Sequence, residues 1–208
     1  MHDATTNKNR RIEMTETDVR MIQQLGKTVE HIAEKTARNH IMQGSDQVTR
    51  SSTKETIALF VRDTMDRLDS TVDEQTRMRI MHSCGQHCAS VNNRVIDAAK
   101  LRRKKFKDVD AFLKAEQRKP MKGTRLSREG TILYQSYVPL SLTPPMRCYC
   151  SLLRGLPKDS SVSLTYCHCS KAFVQKLWES ALGRSVKVDL LQSVVAGDSE
   201  CKFAIHLI

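Results

Sequence analysis

Two cysteine doublets, Cys148-Tyr149-Cys150 and Cys167-His168-Cys169, set the strongest constraint on this chain, and a third pair, Cys84 and Cys88, lies one helical turn apart upstream. A tetrahedral thiolate site needs three or four sulfurs converging from at least two pieces of backbone, each about 2.3 Å from the ion. Here three separate pieces offer two sulfurs each. A chain that unites them must return residues 148–169 to the helix that bears Cys84 and Cys88.

The spacing limits how they can be used. In a flat strand the two thiols of a Cys-x-Cys leave the same face about 6.5 Å apart, too far for one zinc ion. The doublets must therefore bend, or give one thiol each. Seven cysteines cannot all pair internally, and a doublet cannot bridge to itself without strain. Four readings stand. A metal site at Cys84, Cys88, Cys148, Cys150, Cys167 and Cys169 leads, with His87 and His168 as auxiliary ligands. Zinc stands ahead of an iron–sulfur cluster because no cluster-binding spacing is present. A reactive thiol at Cys169, favoured by a helix N-terminus, is the second. Buried structural cysteines with no cofactor, and disulfides, are the others. Cys201 reads as core, and Trp178 as a core anchor.

The chain of 208 residues is long enough for one core, or for a helical part and a mixed part that share one. No apolar run approaches the length that spans a bilayer, and the opening MHDATTNKNRRIEM lacks an apolar signal core. The expectation is a cytoplasmic protein. Its net charge of +11 favours anionic partners. Much of the excess lies at Lys100, Arg102, Arg103, Lys104, Lys105 and Lys107, a patch for an anion or nucleic acid, with further cations from Arg118 to Arg128. Aromatic residues for stacking on single strands are few. The partner classes are a small-molecule ligand, nucleic acid through the basic run, and a second copy in a homodimer.

Periodicity divides the chain into a polar, mobile tail at 1–14, a helical part at 15–119 and an α+β part at 120–208. Apolar residues recur at helical spacing from Val19 to Ala33 after a Thr17 cap, with a stop at Gln43-Gly44-Ser45-Asp46. Ser52 with Glu55, and Thr71 with Glu74, read as capping boxes opening two further helices. The third carries Cys84 and Cys88 on one face, and Gly85 between them marks a bend or the close approach of another backbone. A fourth helical segment from Asn92 breaks near Lys107-Asp108 and ends before Pro120. A loop at 121–124 leads to a strand at 130–134, and Pro144-Pro145 imposes an extended approach to Cys148. Ser151-Leu152-Leu153 reads as a short strand and 170–182 as a helix stopped by Gly183. The chain closes on a hairpin through Val186–Leu190 and Cys201–Leu207, turning at Gly197-Asp198. No Gly-rich phosphate loop, Ser-His-Asp arrangement or carboxylate pair is present.

The residues 84–88 (CGQHC), 148–150 (CYC) and 166–170 (YCHCS), with the closing strands VKVDLLQSVV and GDSECKFAI, resemble the 4-vinyl-reductase domain superfamily. Within it they are most similar to uncharacterised bacterial and archaeal proteins that carry CG-x-x-C, CYC and YC-x-CS, and to the related amino-thiazoline-carboxylate hydrolase-like group. The resemblance covers about residues 71–208. It implies an α+β fold of helices against an antiparallel sheet, small-molecule binding and a metal site. Read together, these features predict a thiolate metal-binding protein with a small-molecule or sensory role. The alternatives are a hydrolase or thiol-dependent enzyme using the same cysteines, and a nucleic-acid-binding module.

Overall fold

The computed structural model describes residues 15–137 and 148–207. The expected tail at 1–14 and the Pro144-Pro145 approach lie outside the described residues. Within them the fold is α+β: six α-helices and a four-stranded antiparallel sheet.

The helices start where a short polar side chain can accept from the amide three residues on. Helix α1 (Glu16–Ile41) is capped by Thr15, which exchanges bonds with Asp18 in a full capping box. Thr53 caps α2 (Lys54–Thr71), and Asp73 caps α3 (Glu74–Val91), each accepting from a threonine amide. The expected caps at Thr17, Ser52 and Thr71 are therefore displaced by one or two residues. Each start is crowded with Thr, Ser and Asp, and Thr71 instead closes α2 by donating to the Arg67 carbonyl.

Helix α1 is not the single rod its periodicity predicts. Ala33 and Glu34 leave helical geometry, and Glu34 takes φ 68°, which is rare for a residue with a Cβ. The chain bends back there, so that Met42 Cε comes within 3.6 Å of where a Cβ on Gly26 would stand. No glycine or proline marks this break in the sequence.

Helix α4 (Asn93–Arg103) and α5 (Val109–Arg118) are separated as expected, with Asp108 capping α5. The loop and single strand expected near 121–134 are a hairpin instead: β1 (Thr124–Glu129) pairs with β2 (Ile132–Tyr137) around Gly130. The alternating Arg125, Ser127 and Glu129 on the exposed face of β1 masked it. Ser151–Leu153 is a 3-10 turn, not a strand. Helix α6 (Cys167–Leu182) begins earlier than expected and takes in the second doublet; Gly183, at φ 70°, stops it. Strands β3 (Lys187–Gln192) and β4 (Cys201–His206) form the closing hairpin, and the sheet order is β1-β2-β4-β3.

Two apolar clusters hold these elements. In the first, α1, α2 and the start of α3 pack on Cys148, Leu152, Leu153, Leu156, Val162 and Tyr166. The second joins α4, α5 and α6 to the inward residues of the sheet, Leu133, Val188, Phe203 and Ile205. Both parts of the chain thus feed both clusters. Trp178 of α6 donates from Nε1 to Gln135 Oε1 at 2.8 Å inside the second cluster. Among the described residues no helix is long and apolar enough to cross a membrane.

The basic run is partly drawn into this packing. Arg102 grips the buried Glu116 with two bonds of 2.7 and 3.1 Å. Arg103 donates to the Phe106 carbonyl and lies 6.0 Å over the Phe112 ring. Lys100 pairs with Asp97 at 3.5 Å. Lys104, Lys105 and Lys107 stay exposed beyond the end of α4. Removing one member of a buried pair strands the other charge, at a cost of about 3 kcal/mol. Arg102→Ala is therefore expected to lower the urea midpoint, and Arg102→Met with Glu116→Leu to restore most of it. Equal losses in the single and double variants would show that the pair is not what matters.

Candidate thiolate centre

Every described cysteine is a free thiol, and most of them meet where α3 crosses α6. Gly85 is the reason the two helices can touch. A Cβ there would overlap the Cys169 carbonyl oxygen and lie 2.7 Å from Ala172 Cβ. The close approach expected at this glycine is thus made by the first turn of α6. It sets the face bearing Cys84 and Cys88 against Cys169.

Cys84 is buried beside Thr28 of α1, while Cys88 stands a turn further on, 3.6 Å from Asn92 Nδ2. The first doublet sits on a bend rather than a flat strand. Cys150 Sγ accepts from the Tyr166 hydroxyl at 3.0 Å, and Cys148 Sγ accepts from the Cys150 amide at 3.4 Å. The second doublet lies in a helix, where residues two apart do not share a face. Cys169 therefore turns toward α3 and Cys167 toward the sheet, 3.1 Å from Ser193 Oγ.

The electrostatics trace the same division. Cys169 interacts with Cys84, Cys88, Cys148 and Cys150, and Cys88 with Cys150. A second group forms on the sheet side, where Cys148, Cys167 and Cys201 all act on one another. There a void of about 10 Å³ is lined by these three, Tyr149 and Ser193. Cys148 belongs to both groups. Of the six cysteines expected to share a site, Cys84, Cys88, Cys148 and Cys150 all act on Cys169, while Cys167 is bonded to Ser193 on the sheet side. Cys201, read as core from its strand phase, joins Cys167. Its partners come from distant loops, so only coordinates reveal them.

The auxiliary histidines divide as well. His168 turns from the thiols into a groove with His82, Glu74 and Lys171. Burial, then the Lys171 charge, holds its pKa below the usual value. His87 is half-buried on α3 and makes no hydrogen bond to a thiol among the described residues.

Burial dominates the thiol chemistry. It pushes Cys84 up to about 12, and Cys88 and Cys167 up to about 11, from an ordinary 9.0. Burial also raises Cys169 well above that ordinary value, and the neighbouring thiols add to it. Among the described residues no three His, Cys, Asp or Glu side chains stand close enough, as placed, to hold a metal ion. The donor set suits a soft cation, but the sulfurs would have to swing inward to share one.

A cysteine-rich α+β protein with its thiols at a helix crossing is the class these features define. The chain belongs to DUF6144, a family of unknown function, whose profile matches residues 16–208. No curated protein and no solved structure matches it.

Two outcomes test this description. Gly85→Ala forces α3 off α6 and is expected to cost about 1–3 kcal/mol, with more thiols reacting with a disulfide reagent in the native state. An unchanged midpoint and unchanged thiol count would refute the crossing. The second concerns alkaline pH. Below about 9 the thiols are protonated in both folded and unfolded chains; above it the unfolded chain ionises first, while Cys84, Cys88 and Cys167 hold their protons to about 11 or 12. Stability is thus complete below pH 9 and is lost as pH rises through that window. Urea midpoints of chelator-treated protein should fall from pH 9 to 11, less steeply for Cys84→Ala.

Proposed function

We propose that this is a cytoplasmic thiolate metal-binding protein, with zinc favoured over an iron–sulfur centre, and with a small-molecule site beside the thiols. One observation carries the reading: Cys84, Cys148, Cys150 and Cys169, from three separate stretches, pack in or against one apolar cluster, and Cys88 acts electrostatically on Cys169 and with Cys150. Protonated, they are mutually tolerable. Ionised without a counter-charge, they would repel one another in a poorly solvated space. A bound cation removes that conflict, because a coordinating thiol is deprotonated outright. Cys88, Cys150 and Cys169 are the less buried residues of the five and would supply three donors, with Cys84 or Cys148 as the fourth. Free thiols throughout agree with a reducing compartment.

The other readings have less support. A nucleophilic thiol needs a lowered pKa, and the cysteines are shifted the opposite way. A nucleic-acid surface would have to rest on Lys104, Lys105 and Lys107, since Arg102 and Arg103 are engaged within the fold. The likeness to the 4-vinyl-reductase superfamily falls on the same cysteines and fits a binding role.

Protein purified in reductant without added metal is expected to carry about one equivalent of zinc or iron by elemental analysis. Cys88→Ser or Cys169→Ser should remove most of it, whereas Cys201→Ser should not. Less than about half an equivalent, with all thiols freely titratable in the native state, would sink the proposal.

A further inference from the structure

On the far side of the crossing from the thiols, α3 and α6 wall a groove of about 820 Å³, within the size range of small-molecule sites. Its base is apolar, from Ile32 just before the break in α1 and from Met78 of α3. Its charged groups are two acids, Asp73 and Glu74, and two cations, Arg79 and Lys171. Arg79 is exposed and makes no hydrogen bond or ion pair among the described residues, and it shares the groove with His82, His168 and Lys171. Lys171 has only a loose contact, 3.9 Å to Asp189, which is itself bonded to His206 at 2.8 Å. Of the two acids on the rim, Asp73 already uses both carboxylate oxygens to cap α3, at 2.8 Å each to Thr76. Those bonds favour the charged form of Asp73, so an anion here would be drawn by the loosely partnered Arg79 and Lys171 and not by a net positive groove.

We infer that this groove binds a small organic anion, its carboxylate held by Arg79 and Lys171 and its apolar body laid on Ile32 and Met78. His168 is a further donor to the same head group, while His82 Nε2 is engaged with Gln86 Nε2 at 2.9 Å. A guanidinium and an ammonium without firm partners, over an apolar base, are complementary to such a molecule and to little else of that size: a neutral ligand leaves the cations unanswered, and a bare inorganic ion leaves the base uncovered. The site extends the small-molecule half of the function proposed above and needs no metal. It is nevertheless coupled to the thiols by construction, because His168 and Lys171 project from the same turn of α6 that carries Cys167 and Cys169.

Benzoate is the probe, with benzamide as its uncharged counterpart. Each is titrated into the full chain after chelator treatment in reductant, at low ionic strength, and followed by amide chemical shifts. Benzoate is expected to bind with shifts clustered on residues 78–86 and 168–171, and benzamide at least tenfold more weakly. Arg79→Met and Lys171→Met should each weaken benzoate about tenfold, while Lys176→Met, on the exposed side of α6, should not. No saturable benzoate binding, equal affinity for benzamide, or indifference to both groove substitutions would overturn the inference. Because the protein is metal-free in this experiment, its failure leaves the thiolate reading standing, and a metal-free isolate leaves this site standing.

Discussion

The contact between Gly85 and the Cys169 carbonyl is the constraint on which the arrangement rests. Any side chain at 85 would hold the two helix axes apart by roughly the width of a methyl group. With none, the backbone of α6 seats directly on α3, and its first turn is clamped between two surfaces. Cys169 is pressed to one side, Cys167 is left facing the sheet, and His168 with Lys171 is left facing outward. One residue without a side chain thus distributes three kinds of chemistry around a single helical turn.

Enclosure has an electrostatic corollary. Polar groups taken from water need partners, and the structure provides them sparingly: the Tyr166 hydroxyl for Cys150, the Cys150 amide for Cys148, Ser193 for Cys167. These satisfy neutral thiols. None supplies the positive charge that stable thiolates in such surroundings require. Cations of this strongly basic chain lie elsewhere: in the Glu116 pair, beyond the end of α4, and in the groove across the crossing. On the sulfur side Arg154, which donates to the Tyr149 carbonyl at 3.4 Å, is the cation that acts on Cys150.

Much of this was legible in the residues. Three closely spaced polar starts announced three helices, and Asp108 announced the break before α5, because caps are local chemistry. Alternation gave the closing hairpin and the inward phase of Cys201, Phe203 and Ile205. Gly85 was recognised as a place where backbone comes close. What escaped was set by tertiary packing. Glu34 bends α1 through a conformation that its residue type does not advertise, and β1 hides behind charged residues on its exposed face. The turn of Cys167 away from Cys169 followed only once α6 was seen to begin at the doublet. Cys201 could not be assigned neighbours from a strand pattern, since those neighbours belong to segments far away in the chain.

The indole of Trp178 has a bearing on how this molecule would be watched. It is the chain's one tryptophan, tied to Gln135 where α6 covers the sheet, and it is remote in packing from the cluster that α1 and α2 build. Its emission therefore records the integrity of the sheet side alone. Loosening of the amino-terminal helices would pass unseen by fluorescence while circular dichroism registered it, so divergence of the two signals on denaturation would reveal a molecule that comes apart in two stages.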